Sequence, residues 1–315
     1  MVGHDWARYR PAAPVPRTPR WSRGEGPSAL TYGVAMSVEP PGPVAAGTVR
    51  AATTLTLWAA AWQGGASADD VLDAIDDPDH RAGARAATAT VAEITGLPGP
   101  GSASAGTAAL LPLLRSGGAP ELLLPRPGDL RGLPPGGAAA VAGLDSGAAV
   151  RLPDSGLLLI PGAGQWRIFD GPTGHGPAAG GTTPLDIPVA HDVLDEAMTR
   201  ATRLLTALDV ARGSDQAREQ VRRIMLLEAV HTPPGTPSAA SNLLATSISL
   251  HALLTVAAGQ ETAAVTSGQV ARVDDALRPL VDAVAQARRA AVATAVRALT
   301  RTDGRAMPRR SVPRR

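Results

Sequence analysis

Few side chains in this chain are suited to chemistry, and the first candidates pair a carboxylate with an imidazole. Glu228 and His231 stand three apart in the run Glu228-Ala229-Val230-His231. On a helix that spacing turns both groups to one side, the pairing used by carboxylate-bridged di-metal bundles. His191 and Asp195, four apart on the preceding predicted helix, supply a second pair, and His251 follows on the next helix. A di-metal centre wants two Glu-x-x-His pairs and further carboxylates, and only one such pair is present. A histidine at a helix end ordinarily caps carbonyl groups and suits the helix dipole. Capping is therefore the simpler reading, and no cofactor is expected.

The second candidate is the loop Arg126-Pro127-Gly128-Asp129-Leu130-Arg131, which follows the apolar triplet Leu122-Leu123-Leu124. Two arginines about a glycine at the end of a strand can hold a phosphate or carboxylate through paired N–H donors. Equally, Asp129 can pair with a neighbouring arginine while the prolines fix the turn. If the chain takes an anionic small molecule, Arg126, Asp129 and Arg131 are where it is expected.

Absences remove much else. All 30 basic residues are arginine, and there is no lysine and no cysteine. That excludes a Schiff base, a phosphate-loop lysine, a thiolate nucleophile, a thiolate metal site and any disulfide framework. No G-x-S-x-G elbow occurs, and the glycine-rich stretch 171–183 lacks the spacing of a phosphate cradle. The acids Asp69, Asp70, Asp76, Asp77 and Asp79 cluster without the spacing of a calcium loop. Arg288-Arg289 and Asp274-Asp275 read as a solvated helix face. Without a nucleophile, base and orienting group to assemble, a catalytic role has little support.

These residues need elements to position them. The 315 residues, 44% apolar, can bury a real core. The sequence pI is about 9.8, yet the basicity is terminal. Residues 1–23 carry five arginines and one acid, 301–315 carry six and one, and the body between them is acidic. A membrane partner is not expected. Nucleic acid would be held only through these tails, by salt-sensitive phosphate neutralisation. Residues 1–35, broken by Pro11, Pro14, Pro16 and Pro19, read as a disordered arm, and Met36 is a plausible alternative start. Residues 301–315 read as a second disordered tail.

Helical spacing predicts an N-terminal helical part over 36–118: a helix over 44–62, a capped short helix from Ser67, an alanine-rich helix over 81–95 and a short one at 110–114. Residues 119–172 read as a small β unit. It has a strand at 122–124, an alanine helix over 136–144, and three antiparallel strands at 148–152, 156–161 and 165–170. In the last strand Trp166 and Ile168 face one way, Arg167 and Phe169 the other. A glycine-rich linker, 173–183, leads to a helical bundle over 184–300. The helix from Ser238 to Ala258 is apolar almost all round, which places it centrally. A long last helix from Ser267 is expected to kink at Pro279. The fold class is α+β, mostly helical, with a small antiparallel sheet between two helical parts.

The segments LLLPRPGDLRGLPPG (122–136), QWRIFDGP (165–172), ALDVARG (207–213), TPPGTPSAASNLLA (232–245) and LRPLVDAVAQARRA (277–290), in this order, resemble an actinobacterial family of conserved, uncharacterised proteins. The likeness spans about residues 45–300. It implies a cytoplasmic protein and transfers no catalytic role. The expectation is a non-catalytic structural or interaction module, self-associating or with a protein partner. An anion-binding protein using the Arg126–Arg131 loop and a nucleic-acid-associated protein using the tails are the alternatives.

Overall fold

The computed structural model describes residues 43–76, 83–162, 164–174, 183–207, 215–259 and 267–301. The arm 1–35, His175 in the glycine-rich segment, the Ser214 cap and the tail beyond 301 lie outside the described residues. The fold is α+β.

The helix α1 (Pro43–Gln63) opens the described chain. Its buried threonines are satisfied locally: Thr53 and Thr56 hydroxyls each donate to the carbonyl four residues back, at 2.7 Å. Its C-terminal end is tied down by side chains. The Trp62 indole donates to Leu111 O at 3.1 Å, and the Gln63 amide donates to Leu114 O and Gly118 O at 2.7 Å each. The helix α2 (Ala68–Ile75) starts as its sequence predicts. Ser67 accepts from the Asp70 amide at 3.1 Å, and its own hydroxyl donates to the Asp70 carboxylate at 2.7 Å.

The alanine-rich segment is not one helix. It divides into strand β1 (Gly83–Ala86) and helix α3 (Ala89–Thr95), with Thr88 capping α3 and Gly96 ending it at φ 70°. Alanine is the strongest helix former, but intrinsic propensity is a small term and tertiary pairing overrides it here. β1 exchanges backbone bonds with Ala105 at 2.8 and 3.0 Å and runs parallel to a later strand. A short 3-10 turn and α4 (Leu111–Ser116) precede β2 (Glu121–Leu123), α5 (Gly137–Ser146), β3 (Ala149–Leu152), β4 (Leu157–Gly162) and β5 (Gln165–Asp170). The sheet order is β1-β5-β4-β3-β2, with β2 to β5 antiparallel and β1 parallel to β5, so the sheet is mixed rather than purely antiparallel.

Period-two alternation gives the sheet two apolar faces. Leu122, Val150, Leu152, Leu159, Trp166 and Ile168 enter the main core with α1. Leu123, Ala149, Leu158, Ile160 and Phe169 form a second cluster with Leu133 and α5. The expected split of Trp166 and Ile168 from Phe169 is thus found, with the Arg167 guanidinium 5.0 Å from the Phe169 ring centre.

The C-terminal helices are α6 (Ile187–Ala207), α7 (Asp215–Leu227), α8 (Ser238–Gly259) and α9 (Ser267–Thr300). The central helix is α9, not α8. It packs against α1, α6, α8 and β2 and runs through Pro279. Six successive residues, 287–292, are buried, so no side of α9 there meets solvent. Arg288 and Arg289, expected on a solvated face, are accordingly buried. α8 buries one stripe, Ala240, Leu243, Leu244, Ser247, Ile248, Ala252 and Val256, and leaves Leu253 about half exposed. By length and composition alone, α8 (Ser238–Ala258, mean hydropathy 1.4) is apolar enough to cross a membrane, as core helices often are. One contiguous core joins residues from α1 through the sheet to α9.

Candidate functional site

The loop after β2 forms as its residues dictate. Arg126 and Asp129 exchange backbone hydrogen bonds at 2.9 Å across Pro127-Gly128, with Gly128 at φ 84°. Pro then Gly is the signature of a type II turn, whose third position needs positive φ. Asp129 then folds onto the next residues, accepting from the Arg131 amide at 3.1 Å and from its guanidinium. Arg131 itself sits at φ 50°, a conformation uncommon outside glycine.

The structure brings the three loop residues together with α9. Arg126 donates to Asp282 Oδ1 and to Val281 O, both at 2.7 Å. The Arg131 guanidinium, 8% exposed, lies 3.1 Å from the same Asp282 oxygen. Close by, Arg151 on β3 pairs with Glu121 directly across on β2, at 2.7 and 2.8 Å. Burial pushes Arg126 below the usual arginine value; Asp282 opposes that shift and Arg131 adds to it. Arg289 on α9 is lowered by burial and by Arg131, against Glu121 and Asp129. The donors of Arg126 and Arg131 are thus turned toward Asp129 and α9, where they clamp the β2 edge to the central helix.

The residues weighed as metal candidates, Glu228, His231, His191 and Asp195, do not share one helix. Helix α7 ends at Leu227, so Glu228 and His231 do not share a helix. Glu228 turns inward and is 1% exposed, whereas His231 lies exposed in the following loop and its carbonyl accepts from the Trp58 indole at 2.9 Å. His191 is half-buried and Asp195 exposed on α6. Among the described residues, no three His, Cys, Asp or Glu side chains come close enough to hold an ion.

Glu228 instead heads a buried charged node. Its Oε2 accepts from Arg288 at 2.8 Å, with Arg288 4% exposed. Its Oε1 lies 3.1 Å from His251 Nε2, close in distance but not aligned as a hydrogen bond. Burial by itself would raise this carboxyl. His251 and Arg288 together outweigh that and hold it below the ordinary glutamate value. The node fixes the end of α7 to α8 and α9. The sequence places His251 beside Glu228 as a candidate, whereas Arg288 was missed as a partner. Its signal was the small-residue run Ala285, Ala287, Ala290 and Ala291, which marks a helix crossed closely by others.

A cleft of about 440 Å³ opens between α1, α2, the β4–β5 end and the loop after α7. Arg50, Trp58, Asp70, Asp73, Asp76, Gln165, Trp166 and His231 are among its lining residues.

These features define a mostly helical α+β protein with buried ionic clamps and a surface cleft. The chain matches the N-terminal domain of the Rv1486c-like proteins over residues 52–179 and their C-terminal domain over 189–289. It is similar to the "Uncharacterized protein Rv1486c" of Mycobacterium tuberculosis strain H37Rv, 30% identical over 278 residues, covering 76% of this chain and 94% of the relative. "Uncharacterized protein MT1533" of M. tuberculosis strain CDC 1551 matches with the same identity and coverage. The chain belongs to the Rv1486c-like family, a conserved actinobacterial family without an assigned function, as the ordered segments of its sequence imply. No solved structure matches it.

Proposed function

We propose that the protein is a non-catalytic helical module that self-associates through α7 and the outer side of α8. The observation that carries this reading is α7 itself. None of its 13 residues is buried, although it ends in Ile224, Met225, Leu226 and Leu227. Leu226 is 71% and Leu227 59% exposed, and Leu253 on the neighbouring α8 is 51% exposed. Fully burying a Leu or Met side chain stabilises an association by about 1.5–3 kcal/mol. Apolar residues gathered at one helix end, beside an exposed leucine of the neighbouring helix, are what an interface uses, whereas scattered ones need no explanation.

The charge pattern of α7 favours a second copy as the occupant. Arg218 pairs with Asp215 at 3.1 Å and Arg222 with Glu219 at 2.7 Å, so both signs alternate along one exposed helix. Such a surface is self-complementary. An antiparallel copy related by a two-fold axis near Leu226 sets the apolar ends of the two α7 helices against each other, as an isologous interface requires. The Glu228 node contributes by fixing where this helix ends.

Sedimentation equilibrium of the full chain tests the reading. The wild type is expected to show a concentration-dependent monomer–dimer equilibrium, and Leu226→Glu with Leu253→Glu is expected to be monomeric with unchanged helical content. A wild type that stays monomeric at several hundred micromolar refutes it, as does a double variant that still dimerises.

A further inference from the structure

The β1–β5 end of the sheet carries an inference independent of self-association. Strand β1 has one long side chain, Arg85, and its register sets Arg85 beside Arg167 of β5. Residues paired in register on neighbouring strands, about 4.8 Å apart, point to the same face. Ala84 and Ala86, like Trp166 and Ile168, enter the main core, so both arginines lie on the opposite face with Phe169. Like charges set side by side across two strands are destabilising.

The fold supplies nothing to relieve this repulsion. No acid stands on that face of β1 or β5, where the other residues are Gly83, Gln165 and Phe169. Glu121, on the far strand β2, is taken by Arg151. Among the described residues neither Arg85 nor Arg167 has an ion pair or a hydrogen-bond acceptor, although both are half-buried. Arg126, Arg131, Arg151 and Arg288, by contrast, each meet a carboxylate. Arg167 is also held in place, its guanidinium 5.0 Å from the centre of the Phe169 ring, which is itself 3% exposed. An aromatic ring takes the flat face of a guanidinium and leaves the N–H edge, the part that grips an oxyanion.

We infer that Arg85 and Arg167 together hold the phosphate of a phosphomonoester, each guanidinium donating to its oxygens. A phosphomonoester carries close to two negative charges at neutral pH, which match the two arginines. A phosphodiester carries one charge and leaves the repulsion half relieved.

Isothermal titration of the full chain with phenyl phosphate, at low ionic strength and about pH 7.5 where the monoester is a dianion, tests the inference. Saturable one-site binding is expected, with a dissociation constant of roughly 1 mM or tighter. Dimethyl phosphate, with a single charge, is expected to bind at least about fivefold more weakly. Arg85→Gln and Arg167→Gln are each expected to weaken phenyl phosphate by roughly tenfold, the effect of losing one charged hydrogen bond. Arg200→Gln, which breaks an exposed pair with Glu196 on α6, is expected to change nothing. Without ligand, Arg85→Gln removes a repulsion and is expected to melt no lower than the wild type. The inference is overturned by absence of saturable binding, by equal binding of dimethyl phosphate, or by Arg85→Gln binding as the wild type does. It is equally overturned if Arg85→Gln melts well below the wild type, which would make the arginine a structural support.

Discussion

Replacing Glu228 by glutamine isolates the buried ionic node with little change of shape. Glu228 is 1% and Arg288 4% exposed, and they meet at 2.8 Å. Removing the charge of one partner leaves the other buried without compensation, which ordinarily costs about 3–5 kcal/mol. Glutamine still offers one oxygen to Arg288, so the lower edge of that range is expected. For a domain stable by about 5–15 kcal/mol, that is a large fraction. Urea denaturation of the full chain, followed by helical circular dichroism, reads it directly. A loss below about 1 kcal/mol refutes the reasoning. Adding Arg288→Met to Glu228→Gln removes the orphaned charge and is expected to recover part of the loss.

The same node fixes the sign of a pH effect. The Glu228 carboxyl is held below its ordinary value by His251 and Arg288 against burial. Its stabilisation is therefore present above the unfolded glutamate value of about 4.3 and is lost as pH falls through the lower folded value. The gap in stability between wild type and Glu228→Gln should narrow on acidification. A gap that stays constant down to pH 3 contradicts this.

Three further outcomes follow from the packing. Gly64→Ala sets a methyl well inside contact with the Leu299 carbonyl, where α1 ends against α9, and is expected to cost about 1–3 kcal/mol in urea midpoint measurements. Leu159→Ala empties a fully buried position at the centre of the sheet and is expected to cost about 2–5 kcal/mol by the same assay. Arg126→Ala removes the contacts to Asp282 and Val281, but Asp282 is 41% exposed, so solvent screening limits the loss to about 1 kcal/mol.

How much of this was legible depended on the range of each interaction. Local signals held: the Ser67 cap, the Pro127-Gly128 turn and the alternation of Trp166 and Ile168 against Phe169 are all carried by neighbouring residues. The segment over 81–95 misled because β1 is made by its partners, β5 and Ala105, not by its own alanines. The order of α8 and α9 misled for a related reason. Hydropathy marks α8 as the apolar helix, but α9 is enclosed because four elements converge on its small residues, and its arginines are neutralised from afar. The Arg126–Asp129–Arg131 loop was found as a cluster, while Asp282, some 150 residues on, had no local signature. Glu228 was singled out for the wrong company: a helix end at Leu227 parts it from His231 and turns it toward Arg288.

The absence of cysteine allows the central claim to be tested by one residue at a time. In a chain carrying only Leu226→Cys, any disulfide must join two copies. The account predicts rapid oxidation of that variant to a covalent dimer, and none for a chain carrying only Val141→Cys, at a similarly exposed position on α5. Equal cross-linking of the two variants, or none with Leu226→Cys, contradicts self-association through α7.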